Sequence, residues 1–313
     1  MQLIIATLLI GFALCGDKWG YDEDDGPANW EGLCQAGQMQ SPIDFRAVDV
    51  EYSPLHKLIF MNYHHKHLME LSNNGHTIAA SSVKPDWESR QPYITGGGLK
   101  HKYKLMQFHL HWADVDYRGS EHTIGGLSYP AELHLVHYRE DLSFSEAVNK
   151  KNGLAVVGVF LTIGEESRPL EHIVSSLKQV IAPGNKSQIH GFHLHRLLPI
   201  NHDSFYRYDG SLTTPGCFES VIWTVLTEPI SITKRQMEEL RAIHSQNNIP
   251  YEYNHRPVQP LNGRKVLYRP SHFDKSILCS STGAIFSIHS KVGNFHVSLC
   301  MPVLIRSADL IRI

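Results

Sequence analysis

Residues 103–112, Tyr103-Lys104-Leu105-Met106-Gln107-Phe108-His109-Leu110-His111-Trp112, decide how the chain reads. A short run this rich in aromatic and aliphatic side chains, with polar residues in alternation toward its end, predicts a strand rather than a helix. Successive side chains of a strand point to opposite faces. Phe108, Leu110 and Trp112 therefore share an apolar face, while Gln107, His109 and His111 share the other. Imidazoles at i and i+2 stand about 6.5–7 Å apart along such a face. Tilted toward each other, both can reach one ion at about 2.0–2.1 Å. The His-x-His spacing taken alone is more simply an amphipathic strand with half-buried histidines.

A second run in the same phase changes that balance. In Ala131-Glu132-Leu133-His134-Leu135-Val136-His137-Tyr138 the leucines face one way and Glu132, His134 and Val136 the other. If this strand lies beside the first, about 4.8 Å away, His134 joins His109 and His111 as a third ligand. Three neutral imidazoles on zinc leave a fourth tetrahedral position for water, the arrangement of a catalytic rather than a structural site. Gln107 and Glu132 are placed to accept the outer ring N–H protons of those histidines. The other clusters lack this company. Phe192-His193-Leu194-His195 repeats the spacing without an in-phase partner strand, and His64, His65 and His67 read as a solvated strand end. His137 faces away from His134, so all of these are read as non-ligands.

The rest of the chain is mostly strand-like. Residues 57–63 (KLIFMNY) and 153–164 (GLAVVGVFLTIG) are apolar runs, and Gly, Pro and Asn-Gly punctuate the sequence. Helices are expected around Ser143–Asn149 and over Lys234–His244, where Met237, Leu240 and Ile243 recur at three-residue spacing. No internal repeat or linker divides the chain. The expected fold class is α+β and β-dominated, in a single domain. With 42% hydrophobic residues, 19% charged residues and a net charge of -2, the 313 residues offer no electrostatic case for nucleic acid or an anionic membrane.

Residues 2–14 (QLIIATLLIGFAL) are too short to span a bilayer and end near small residues, so 1–16 read as a signal peptide and the destination as secreted. Cleavage there removes Cys15 and leaves Cys34, Cys217, Cys279 and Cys300, whose three pairings composition cannot separate. The triplet Asn185-Lys186-Ser187 permits N-glycosylation. Residues 268–313 read as an extension of unknown role. Arg306, Asp309 and Arg312 interrupt the uniform apolar tail that a lipid-anchor signal needs, so a membrane tether is the weaker localisation.

From Trp19 to Val266 the chain resembles the alpha-carbonic anhydrases. The motifs are Trp19-Gly20-Tyr21, Gly26-Pro27-Ala28-Asn29-Trp30, Gln40-Ser41-Pro42-Ile43, Asn73-Asn74-Gly75-His76, Gln107–Trp112 and Gly119-Ser120-Glu121-His122. They continue with Glu132–His137, Gly210-Ser211-Leu212-Thr213-Thr214-Pro215, Trp223 and Asn254-His255-Arg256-Pro257-Val258-Gln259. The resemblance implies a catalytic domain over 17–267 with a large, twisted, mainly antiparallel central sheet and a few short peripheral helices. It implies Zn2+ on His109, His111 and His134, and reversible hydration of carbon dioxide to bicarbonate and a proton by attack of zinc-bound hydroxide. His76 takes the position of the proton shuttle. Thr213 and Glu121 take those of the pair that orients the hydroxide, and Thr214 that of a bicarbonate contact. Val136, Val156, Leu212, Val221 and Trp223 match the apolar carbon dioxide pocket.

Cys34 and Cys217 match the disulfide of secreted and membrane-bound members. The implied partners are carbon dioxide, bicarbonate and water, with sulfonamides and small anions as inhibitors, no nucleic acid and no obligate protein partner. Gly216 stands where a second proline is usual and is expected to loosen that loop. The alternative function is a non-catalytic carbonic-anhydrase-like binding module; such relatives typically lack a zinc histidine, and here all three stand.

Overall fold

The computed structural model describes residues 19–271 except 84–86, 88–89 and 166–167. The expected signal peptide, Cys279, Cys300 and residues 272–313 of the extension lie outside the described residues.

Fourteen strands and four α-helices occur in sequence along the described chain. A short helix α1 (Leu33–Ala36) precedes β1 (Asp44–Phe45), β2 (Val50–Tyr52), β3 (Leu58–Met61), β4 (Lys66–Asn73), β5 (Ile78–Ser82) and β6 (Tyr93–Gly96). Next come β7 (Tyr103–Trp112), β8 (Thr123–Ile124), β9 (Ala131–Arg139), α2 (Phe144–Val148), β10 (Leu154–Ile163) and α3 (Arg168–Leu177). The last elements are β11 (Lys186–His193), β12 (Phe205–Gly210), β13 (Val221–Ile232), α4 (Lys234–Arg241) and β14 (Val266–Arg269). Twelve strands form one sheet in the order β11-β4-β5-β7-β9-β10-β13-β12-β14-β2, with β3 and β6 attached through β7, while β1 and β8 make a separate pair. Antiparallel pairing dominates, as expected, with β10–β13 and β14–β2 the parallel exceptions in the large sheet, and β1–β8 parallel as well. The compact unit ends at Arg269 with β14, so the expected edge at 267 falls inside a strand.

Alternation explains how the sheet builds the core. On β7, Phe108, Leu110 and Trp112 are at most 2% exposed, and on β9 Leu133 and Leu135 are fully buried beside them. Burying each such side chain contributes about 1.5–3 kcal/mol relative to exposure. Strand β10 is apolar without alternation and is buried on both faces through Phe160 and Leu161, as suits a strand paired in parallel at the centre of a sheet.

Helix α2 starts at a capping box in which Ser143 and Glu146 satisfy each other's backbone N–H, and α4 at one formed by Thr233 and Gln236. The helical reading to His244 runs three residues past the end of α4, although Ile243 is buried just beyond it. Sequence reading missed α3. Its Leu170, Ile173, Val174 and Leu177 recur at i, i+3, i+4 and i+7 and are all buried.

Candidate metal centre

Antiparallel pairing of β7 with β9 sets His109 opposite His134 and His111 opposite Glu132. The ring centroids of His109, His111 and His134 lie 4.7–5.2 Å apart. Each ring also has one nitrogen tied outward. His109 Nδ1 donates to Gln107 Oε1 at 3.0 Å, His111 Nδ1 to the Asn254 carbonyl at 2.7 Å, and His134 Nε2 to Glu132 Oε1 at 2.8 Å. With those nitrogens carrying the protons, His109 Nε2, His111 Nε2 and His134 Nδ1 turn lone pairs inward.

The set of three lies within a 4.8 Å span, and His109 Nε2 is 3.1 Å from His111 Nε2. Two nitrogens bound about 2.0–2.1 Å from a tetrahedral ion would be roughly 3.3 Å apart. Burial lowers the pKa of all three, that of His111 to about 4, which keeps them neutral and able to ligate. This donor set fits zinc.

Glu132 is held from four directions. Its Oε2 accepts the backbone N–H of Glu121 and of His122 at 3.0 and 2.8 Å; its Oε1 accepts from His122 Nδ1 at 2.7 Å besides His134. Burial alone would raise its pKa, but His122 and His134 hold it well below the usual carboxylate range. Room for the carboxylate comes from Gly158, opposite His134 on β10, where a Cβ would approach Glu132 Oε1 to 3.0 Å. His122 in turn shares a hydrogen bond with the Tyr208 hydroxyl at 2.7 Å.

Glu121 has the opposite character. Burial pushes its carboxyl up to about 7, with His134, the Arg256 backbone N–H and the Thr213 hydroxyl acting the other way. Oε1 accepts that N–H at 2.8 Å, whereas Oε2 has no hydrogen-bond partner and lies 3.5 Å from His111 Nε2 and 3.8 Å from His134 Nδ1. A buried carboxylate oxygen without a donor marks a place for one.

The histidines floor an open cleft. Val136, Val156, Leu212 and Trp223 form an apolar wall, Thr213 and Thr214 border it, and Phe144, Val148 and Phe218 complete it without having been picked out from the sequence. Val221 shares a face of β13 with Trp223 and is buried in one cluster with Trp223, Val136 and Val156.

The loop after Thr213 is also tighter than expected. Gly216 has φ +97°, which proline cannot adopt, and a Cβ there would meet the Phe218 ring at 2.6 Å. The N–H of Cys217 closes the turn onto the Thr214 carbonyl at 3.0 Å, and Cys217 is bonded to Cys34 across 183 residues.

His76 also lines the cleft. Its ring stacks on Trp19 with centroids 3.7 Å apart, and Nδ1 is buried without a hydrogen-bond partner. Desolvation lowers its pKa to about 4. The adjacent asparagines build its turn: Asn74 Oδ1 accepts the N–H of His76 and Thr77, and Asn73 Nδ2 donates to the Ile181 and His244 carbonyls.

Two supports of the site stand in the Asn254–Gln259 motif, to which sequence reading assigned no role. Asn254 acts on His111 through its main-chain carbonyl, which any residue type offers. Arg256 spans from its N–H on Glu121 to a guanidinium bonded to Gln40 Oε1 and to the carbonyls of Ser41 and Cys34, all at 2.8–2.9 Å. His122 stands beside Glu121 in the Gly119–His122 motif, and only the fold brings it to Glu132.

The family model described as eukaryotic-type carbonic anhydrase matches residues 25–270. The chain is 47% identical over 290 residues to the Caenorhabditis elegans protein named "Putative carbonic anhydrase 5", which covers 90% of this chain and 92% of that protein. It is 42% identical to "Putative carbonic anhydrase 3" of the same organism over 253 residues, 80% of this chain and 97% of the other. It is 40% identical to human carbonic anhydrase 7 over 256 residues, 79% and 96% of the two chains.

Proposed function

The chain belongs to the eukaryotic-type carbonic anhydrase family, and from that premise we propose that its three-histidine centre holds zinc and that the enzyme interconverts carbon dioxide and bicarbonate by hydration. The observation that carries the reading is the convergence of His109 Nε2, His111 Nε2 and His134 Nδ1, each on a ring whose other nitrogen is already engaged. When bound, zinc supplies Lewis acidity that lets a water lose its proton near neutral pH, behaviour for which carbonic anhydrases are themselves the type case.

The chain's own groups supply the rest. The Thr213 hydroxyl donates a hydrogen bond to the Glu121 carboxyl, which leaves the Thr213 oxygen as an acceptor that orients the attacking oxygen. The Arg256 N–H fixes Glu121 for that role. Val136, Val156, Leu212 and Trp223 hold the apolar substrate against the histidines, and Thr214 contacts bicarbonate. His76 takes the released proton on its free ring nitrogen. Its ring stacks on Trp19, where desolvation lowers its basicity. Sulfonamides and small anions would compete at the open position.

The Cys34–Cys217 disulfide and the apolar run 2–14 support secretion after loss of residues 1–16. No helix among the described residues is long and apolar enough to cross a membrane. Residues 17–267, with β14 carried on to Arg269, form the catalytic domain, and the C-terminal remainder is an extension. The test is zinc content measured together with carbon dioxide hydration on secreted protein, before and after chelation. One zinc per chain and a rate that disappears and returns with the metal is the expected result; zinc-loaded protein without a rate above buffer overturns the reading.

A further inference from the structure

The Asn185-Lys186-Ser187 triplet is one motif that the metal centre does not use, and no other Asn-x-Ser/Thr sequence occurs in the chain. Asn185 ends a tight turn in which its N–H donates to the Ala182 carbonyl at 3.2 Å. Gly184 before it has φ +85°, and nothing lies within 4 Å of where its Cβ would stand. The Asn185 side chain is exposed, and among the described residues its amide has no hydrogen-bond partner. Ser187 is buried, its hydroxyl donating to Gln179 Oε1 at 2.7 Å. The triplet opens β11, an end strand of the sheet that pairs with β4 and, among the described residues, with nothing on its other side.

We propose that Asn185 carries an N-linked oligosaccharide and that this glycan shields the free edge of β11. The reading rests on the proposed secretion, since the transfer occurs in the oxidising compartment where Cys34 and Cys217 join. The donor is a lipid-pyrophosphate-linked oligosaccharide. Asn185 Nδ2 forms a bond to C1 of its first N-acetylglucosamine, the C1–O bond to the pyrophosphate breaks, and the lipid pyrophosphate leaves with the electron pair. The amide proton passes to a base on the transferase.

Because the transferase must reach Ser187 as well as Asn185, modification precedes the closure of β11 against β4. Eight residues long and free of proline, β11 is the longer of the two end strands and so the better template for edge pairing. Its exposed Lys186, Gln188 and His190, with the half-buried His193, give the strand some polar protection of its own.

The experiment expresses the full chain, with its own N-terminus, in insect cells and recovers it from the medium. Peptide-N-glycosidase F is expected to increase gel mobility and to leave deamidation of Asn185 in the tryptic peptide. Asn185→Gln should abolish that shift and Ser187→Thr should keep it. The Asn185 side chain is exposed and its amide has no hydrogen-bond partner among the described residues, so its substitution is benign for folding and carbon dioxide hydration should be unchanged. On warming, Asn185→Gln protein should scatter light earlier than the glycosylated chain, and identical curves overturn the edge-shielding claim. Secreted, disulfide-linked chain with unmodified Asn185 overturns the whole proposal while leaving secretion standing. Chain retained in the cell with both thiols open to alkylation overturns secretion and glycosylation together.

Discussion

Two groups of histidines in this molecule share a His-x-His spacing and have opposite fates. At His109, His111 and His134 the rings converge, their outer nitrogens taken by Gln107, the Asn254 carbonyl and Glu132. At His64, His193 and His195 the rings gather at the other end of β4, with His64 stacked on His195 at 4.4 Å and His193 5.5 Å from His195. His193 Nδ1 has a carbonyl partner, that of His64 at 2.9 Å, yet this trio forms no metal-holding group among the described residues. His195 lies past the end of β11, in the 3-10 turn Leu194–Leu197, so the same spacing there is not held on one strand face. What makes a ligand set is a neighbouring strand in register and an acceptor behind every ring, which together fix both the direction of the lone pair and the neutral state.

The contrast can be broken most directly at His134. His134→Ala should reduce zinc affinity and hydration rate by more than about 100-fold, read by metal analysis after dialysis and by stopped-flow hydration. Retained stoichiometric zinc would show that two imidazoles suffice and remove the distinction between the groups. Glu132→Gln tests the supporting acceptor: a loss of about 10–100-fold in zinc affinity is expected with all three ligands present, measured by competition with a chromophoric chelator.

His137 sharpens the comparison from another side, because it is buried, neutral and fully partnered without any metal function. The Tyr63 hydroxyl donates to its Nε2 at 2.5 Å, its Nδ1 donates to the Ala155 carbonyl at 3.1 Å, and burial lowers its pKa to about 3. The unfolded chain binds a proton below about pH 6.5 while the folded chain resists it down to about pH 3. This group's contribution is thus complete above about 6.5 and is lost as pH falls, by about 1.4 kcal/mol per pH unit. Urea unfolding of wild type and His137→Phe between pH 7 and 4 should show the variant with the shallower slope. The smallest effect belongs to the surface trio. His193→Ala with His195→Ala should leave zinc stoichiometry and hydration unchanged, and a lost equivalent of zinc would reveal a second site.

The ligand face was legible because strand alternation converts directly into side-chain direction. Gln107, His109, His111, Glu132 and His134 needed only that rule and the assumption that β7 and β9 are neighbours. The β-rich character came from the same runs. The sequence could not show depth: Phe144, Val148 and Phe218 line the cleft without any pattern that marked them. Nor could it show main-chain roles, since Asn254 acts through its carbonyl. The periodicity of α3 was present in Leu170, Ile173, Val174 and Leu177 but went unread in a chain dominated by strands. Gly216 looked like a weakening and is the residue that its left-handed turn requires.

Arg256 joins Glu121 to Gln40, Ser41 and Cys34, bridging 135 residues on one side and 215–222 on the other. During synthesis on the ribosome, nearly the whole domain must emerge before this clamp can close. Early-made strands wait for a late-arriving arginine, and folding dominated by such distant partners is slow and exposed to aggregation. The bracing of Glu121 accordingly waits for the last part of the domain to be made.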